Sequence, residues 1–139
     1  MPRPFSKAFI NPYDRYEYSV HAAVWMVLGG VITGANAQLC LTDALTSPES
    51  IKPFTPYMHH YTVEALIEAG LLDNARKYLE EIWGGMHARG GDTFFEVYVK
   101  DDPDFSPYGD KKINSMCHAW SCTPAYFIRR YFASEGETP

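Results

Sequence analysis

The chain of 139 residues is one domain's length and long enough to bury a core. Its 46% hydrophobic and 21% charged residues exclude intrinsic disorder as the starting expectation. A formal charge of −5 with no basic stripe excludes duplex nucleic acid as a partner, because binding there needs clustered cations to displace counterions.

The longest apolar run, Ala22 to Ile32, is too short to span a membrane and contains two glycines, so it reads as a buried helix end. No positive segment followed by a continuous apolar one opens the chain. No signal peptide is therefore read, and the cytoplasm is the default compartment. The three cysteines, Cys40, Cys117 and Cys122, are odd in number and form no Cys-x-x-Cys, which disfavours a disulfide framework or a structural zinc site. The aromatic content is 15%, which suits either a thick core or a groove that stacks the flat apolar faces of sugar rings.

Residues 1–13 are Pro-rich and aperiodic and read as an extended lead-in, residues 14–133 as the folded domain, and residues 134–139 as a tail. Asp14 and Glu17 have capping-box spacing, and Tyr16, Val20, Ala23, Val24, Val27 and Leu28 then form a helical stripe that Gly29-Gly30 stops. Thr33 is placed to cap a second helix over about 34–45, with Ala37, Cys40, Leu41 and Ala44 on one side. Thr55-Pro56 starts a third helix that runs to about Ala69 and ends at Gly70. Asp73 is placed to cap a fourth. There Ala75, Tyr78, Leu79, Ile82 and Trp83 face inward, Arg76, Lys77, Glu80 and Glu81 face water, and Gly84-Gly85 closes the helix. A β-prone run, Thr93 to Val99, opens a long loop or short β-hairpin over about 90–115, the kind of segment that carries function. Thr123-Pro124 launches a last helix to about Phe132, aromatic around much of its circumference and expected to be buried on most sides. The fold class predicted is all-α, built of antiparallel helical hairpins.

Glu96 lies among Phe94, Phe95 and Val97, where a carboxylate is costly unless hydrogen-bonded or used, and near a substrate it can act as a general base toward water. It reads equally as a strand-face glutamate turned to solvent. His118 can hydrogen-bond a hydroxyl and Trp120 can stack on a ring; alternatively they are a structural histidine and a core tryptophan. His59-His60 point about 100° apart on a helix and lack a third ligand. Asp102, Asp104 and Asp110 lack the closing glutamate of a calcium loop, so no metal site is expected. No phosphate-binding glycine loop and no Gly-x-Ser-x-Gly motif occurs, and no cofactor is implied.

The segments Thr55-Pro56-Tyr57, Glu64-Ala65-Leu66, Ala69-Gly70, Trp83-Gly84-Gly85-Met86, Gly90-Gly91-Asp92-Thr93-Phe94-Phe95-Glu96 and Cys117-His118-Ala119-Trp120-Ser121 with Pro124 resemble the C-terminal part of α-L-rhamnosidases of glycoside hydrolase family 78. The resemblance covers roughly residues 15–132, and its most specific part is Thr93-x-x-Glu96 followed by Cys117-His118-Ala119-Trp120-Ser121. It implies an (α/α)6 toroid of which this chain is part, and an inverting hydrolase of terminal α-L-rhamnosyl bonds. Glu96 would be its general base and His118 and Trp120 its sugar contacts. Phe95 stands where the family often has tryptophan, which makes it a substrate-binding candidate in a stacking position. The family's Cys-Pro-x-Arg-x-Glu-like segment, which carries the general acid, has no counterpart here. The resemblance therefore predicts a section that is inactive alone and that pairs with the missing N-terminal half of the barrel or with itself. The other readings are a non-catalytic helical carbohydrate-binding or subunit-interaction module, and another six-hairpin enzyme of the glucuronyl hydrolase or glucoamylase-like kind. The partner expected is a rhamnosylated glycan or glycoside, with no nucleic acid and no membrane.

Overall fold

The structure, a computed structural model, describes residues 19–133. The Asp14–Glu17 capping box, Tyr16, the lead-in and the tail lie outside them. Among the described residues five α-helices occur, Val20–Leu28 (α1), Gly34–Thr46 (α2), Pro56–Glu68 (α3), Leu72–Ala88 (α4) and Pro124–Phe127 (α5), with one isolated bridge and no strand. The all-α expectation is borne out. Among the described residues no helix is long and apolar enough to cross a membrane.

The described residues fall into two compact units, residues 19–53 with 61–75 and residues 54–60 with 76–133. In the first, α1 packs on α2 through the stripes the periodicity gave: Val20, Ala23, Val24 and Val27 from one, Ala37, Cys40, Leu41 and Ala44 from the other, all buried, with Leu28 at the edge only half-buried. Ser19 caps α1, its hydroxyl accepting from the His21 N–H at 3.2 Å. Thr33 stands at the cap of α2, but its side chain makes no capping bond. At the other end of α2 the last carbonyls are met by Lys52, whose ammonium donates to Ala44 at 2.6 Å, Leu45 at 2.7 Å and Ser47 at 2.9 Å. A cation there also complements the helix dipole. Gly70, at φ +77°, turns the chain out of α3, and the Gln38 amide donates to the Ala69 carbonyl at 2.9 Å.

Helix α4 departs from expectation at both ends. It begins at Leu72, so Asp73 lies inside the first turn, where a carboxylate still complements the dipole. It also runs through Gly84-Gly85 to Ala88. The glycines do not stop it. An added Cβ at Gly85 would sit 1.9 Å from the Tyr98 hydroxyl, so the absent side chain is what admits the buried Tyr98 ring. In the second unit Leu79, Ile82, Trp83 and Met86 of α4 are buried together with Met58, Phe95, Val97, Tyr98 and Phe127.

The last helix is corrected more strongly. Regular α-helix ends at Phe127 and a π-helical turn follows over Ile128–Phe132. Pro124 and Phe127 are buried, but Tyr126 is 44% and Ile128 50% exposed. Phe127 packs on His60 at 4.8 Å between ring centroids, while Arg130 lies over the Tyr126 and Tyr131 rings on the open side. Aromatic content here marks an open surface of stacked rings and guanidinium rather than a helix enclosed on most sides.

Candidate active site

After α4 the chain turns at Gly90 (φ +83°) and passes irregularly through Thr93 to Val99, bending at Thr93 and again at Glu96 and joining no ladder. Its backbone groups are shared among several partners. The Glu96 N–H donates to the Ser115 carbonyl at 2.9 Å, the His118 N–H to the Phe94 carbonyl at 2.8 Å, and the Tyr98 N–H to the Phe54 carbonyl at 2.8 Å. The Thr93 hydroxyl donates to the Met116 carbonyl. The Phe95 carbonyl accepts from the buried Ser121 hydroxyl at 2.7 Å, and the Ser121 carbonyl accepts from the Trp83 indole N–H of α4 at 2.8 Å. Segment 93–98 and segment 115–121 are thereby stitched to each other and to the helical core. Ser121→Ala leaves the Phe95 carbonyl without its hydroxyl donor. A loss of roughly 1–2 kcal/mol is expected, read as a lowered denaturant midpoint, and an unchanged midpoint would contradict the structural role given to Ser121.

The side chains of this segment are divided between two cavities. Glu96 faces a cleft of about 290 Å³ lined with Thr55, Tyr57, His118, Trp120 and Ser121. Phe95, Val97 and Val99 line a different cavity of about 510 Å³. Phe95 is thus placed apart from the stacking position expected of it. Its ring is buried against Gly91, where an added Cβ would come within 2.7 Å, and it supports the backbone that carries Glu96.

The structure brings Glu96, His118 and Trp120 together on one cleft. Two donors fix the carboxylate. The Tyr108 phenol donates to Oε1 at 2.6 Å, and the Ser115 backbone N–H donates to Oε2 at 2.9 Å. These two bonds, with a smaller pull from His118, hold the Glu96 carboxyl below the usual carboxylate range. It is therefore ionised at neutral pH. One wall is aromatic. The Tyr57 ring of α3 lies 5.3 Å from that of Trp120, and His118 meets Trp120 edge-on at 6.1 Å. Trp120 is 66% exposed and Tyr57 47% exposed, so two large faces stand open beside an ionised carboxylate. That combination suits a ring with an apolar face and hydroxyl edges. The alternative reading of Trp120 as a core residue does not describe its position, and Glu96 lies on no strand.

Tyr57 and Tyr108 were not singled out by sequence reasoning. Tyr57 follows Pro56 in the first turn of α3, a position whose outward face periodicity alone does not mark. Tyr108 lies in a polar turn, Ser106-Pro107-Tyr108-Gly109, and the aromatic residue among turn formers was the available signal. Among the described residues no group of three or more His, Cys, Asp or Glu side chains could hold a metal ion. The Nδ1 of His59 is engaged instead with the Tyr78 hydroxyl at 2.8 Å.

No family model matches the sequence, and no curated protein matches it significantly. Solved structures do. A rhamnosidase from Klebsiella oxytoca, determined with rhamnose bound, is 40% identical with a TM-score of 0.81, over 91% of this chain and 25% of that one. A family GH78 rhamnosidase from Bacillus sp. GL1 is 25% identical with a TM-score of 0.68, over 82% of this chain and 12% of that one. The chain thus spans a quarter or less of the length of the rhamnosidases it matches.

Proposed function

Given that the chain belongs to the GH78 rhamnosidases, as a section of their length, we propose that it carries the general-base side of a site that hydrolyses terminal α-L-rhamnosyl bonds by inversion. Glu96 is the base, and His118 and Trp120 hold the sugar with Tyr57 beside them. The observation that carries this is the convergence of an ionised, doubly fixed carboxylate with an open indole and an imidazole on one cleft. Rhamnose bound to the Klebsiella relative supports the choice of sugar.

In the reaction, water attacks the anomeric carbon while Glu96 takes its proton. The bond to the aglycone oxygen breaks, and a carboxylic acid on the opposite side protonates that oxygen. Inversion places the two carboxyl groups ~6.5–9.5 Å apart so that the water fits between acceptor and sugar. Among the described residues lining the cleft Glu96 is the one carboxylate, and the acid is assigned to another part of the assembled enzyme. Residues 14–133 act as part of the (α/α)6 catalytic domain, completed by its earlier half, and the exposed Trp25, Val31, Leu39 and Ile128 are surface for that association.

The test of the sugar contact is Trp120→Ala in a full-length rhamnosidase that carries this section. Losing one stacking face costs about 1.4 kcal/mol, so KM for an aryl rhamnoside is expected to rise about tenfold. An unchanged KM would remove Trp120 from the site.

A further inference from the structure

We propose that Tyr108 is a positioning residue for this reaction. From a loop outside the cleft it fixes the Glu96 carboxylate through Oε1, while the Ser115 backbone N–H fixes Oε2. The inference rests on the reading of Glu96 as the base.

A carboxylate has about four lone-pair sites and turns easily about its last bond when held at one oxygen. Held at both, it keeps one plane. Two donors use two of those sites and leave the others for a water and the sugar. The Tyr108 hydroxyl is committed to Glu96 Oε1 at 2.6 Å, and Tyr108 does not line the cleft.

The loop is built to present that hydroxyl. The Tyr108 N–H donates to the Ser106 hydroxyl oxygen at 3.1 Å, Ser106 donates to the Asn114 side-chain oxygen at 2.8 Å, and the Asn114 amide donates to the Phe105 carbonyl at 2.9 Å. Gly109 follows at φ +84°, which a residue with a side chain takes up only with strain. Asp110 caps the short 3-10 turn Lys111–Ile113, and Lys111 pairs with Asp104 across the loop. Phe105 packs on Phe54 at 5.3 Å, and the Arg89 guanidinium ties the loop's start by donating to the Val99 and Lys100 carbonyls at 2.7 and 2.5 Å. Tyr108 itself is 53% exposed, so its position is explained by the bond to Glu96 and not by burial.

The titratable groups that face Glu96 are the Tyr108 phenol from the loop, the His118 imidazole from segment 115–121 and the Tyr57 phenol from α3. Tyr108→Phe keeps the ring and deletes the one hydroxyl donor in a hydrogen bond to the carboxylate, so the carboxyl becomes harder to ionise. A base must be ionised to act, and the acid limb of the rate profile follows its pKa. That limb therefore moves to higher pH.

Two measurements test the proposal. In the 139-residue chain, the Glu96 carboxyl carbon followed by NMR should titrate at higher pH in Tyr108→Phe than in the parent; an unchanged midpoint overturns the proposal. In a full-length rhamnosidase carrying this section, Tyr108→Phe should lower kcat about tenfold with KM held and shift the acid limb upward. A loop that merely packs would leave the limb in place, and that result also overturns it. Glu96→Gln, run alongside, separates the two readings. If it abolishes turnover while Tyr108→Phe leaves rate and limb unchanged, the positioning role alone fails. If it leaves turnover near normal, the base assignment fails and the role of Tyr108 with it.

Discussion

In a full-length rhamnosidase carrying this section, Glu96→Gln is expected to lower kcat by about 10²–10⁴-fold, the usual worth of a positioned general base. KM should change little, because the indole and imidazole proposed to hold the sugar are untouched. The fold should survive. The side chain is part-exposed, and a glutamine carbonyl oxygen can still accept from either the Ser115 N–H or the Tyr108 hydroxyl. What the amide cannot do is take a proton from water. Steady-state kinetics beside a thermal melt separates this from unfolding: a large fall in kcat with an unshifted melting temperature is the expected pattern. Near-normal kcat would reject Glu96 as the base.

The second large effect concerns two neighbouring glycines of α4 that should respond with opposite sign. Replacing glycine by alanine inside a helix ordinarily stabilises by roughly 0.5–1 kcal/mol. At Gly84 nothing lies within 4 Å of the new methyl group, so Gly84→Ala should show that gain. At Gly85 the methyl would stand 1.9 Å from the Tyr98 hydroxyl and 2.6 Å from the ring carbon that bears it. Tyr98 has little room to retreat. It is buried, its N–H is bonded to Phe54, and Arg89 lies 4.5 Å above its ring. Overpacking of this kind costs about 1–3 kcal/mol and sometimes more, which exceeds the helix gain. Gly85→Ala should therefore lower the denaturant midpoint by the equivalent of about 2 kcal/mol or more while Gly84→Ala raises it. Equal responses at the two positions would contradict the packing of Tyr98 against α4.

The same pair shows what was legible in the sequence and what was not. Helical stripes are a local property, and the buried sets of α1 and α2 and the wet face of α4 came out as periodicity placed them. The meaning of Gly84-Gly85 depends on Tyr98, more than ten residues on and across a turn, so a stop signal and a close-packing signal look alike in one dimension. Thr93–Val99 had the residue types of a strand. Its backbone partners are scattered over Ser115, Phe54 and the Ser121 side chain, so no ladder forms. In the cleft, Glu96, His118 and Trp120 were found because their segment resembles a known family's. Phe95 was offered on the same ground, and its side chain lines the other cavity. Tyr57 and Tyr108 come from α3 and from the 101–110 loop, and only the folded chain places them beside the others.

The central claim is that Glu96 activates the attacking water on the face of the sugar away from the departing aglycone. A crystal structure of a full-length rhamnosidase carrying this section, with rhamnose bound, tests it most directly. The expected result is a sugar ring against Trp120 and His118, with a water held about 2.6–3.2 Å from a Glu96 oxygen and aimed at the anomeric carbon. A sugar bound away from this cleft, or one with Glu96 on the aglycone side of the anomeric carbon, would contradict it.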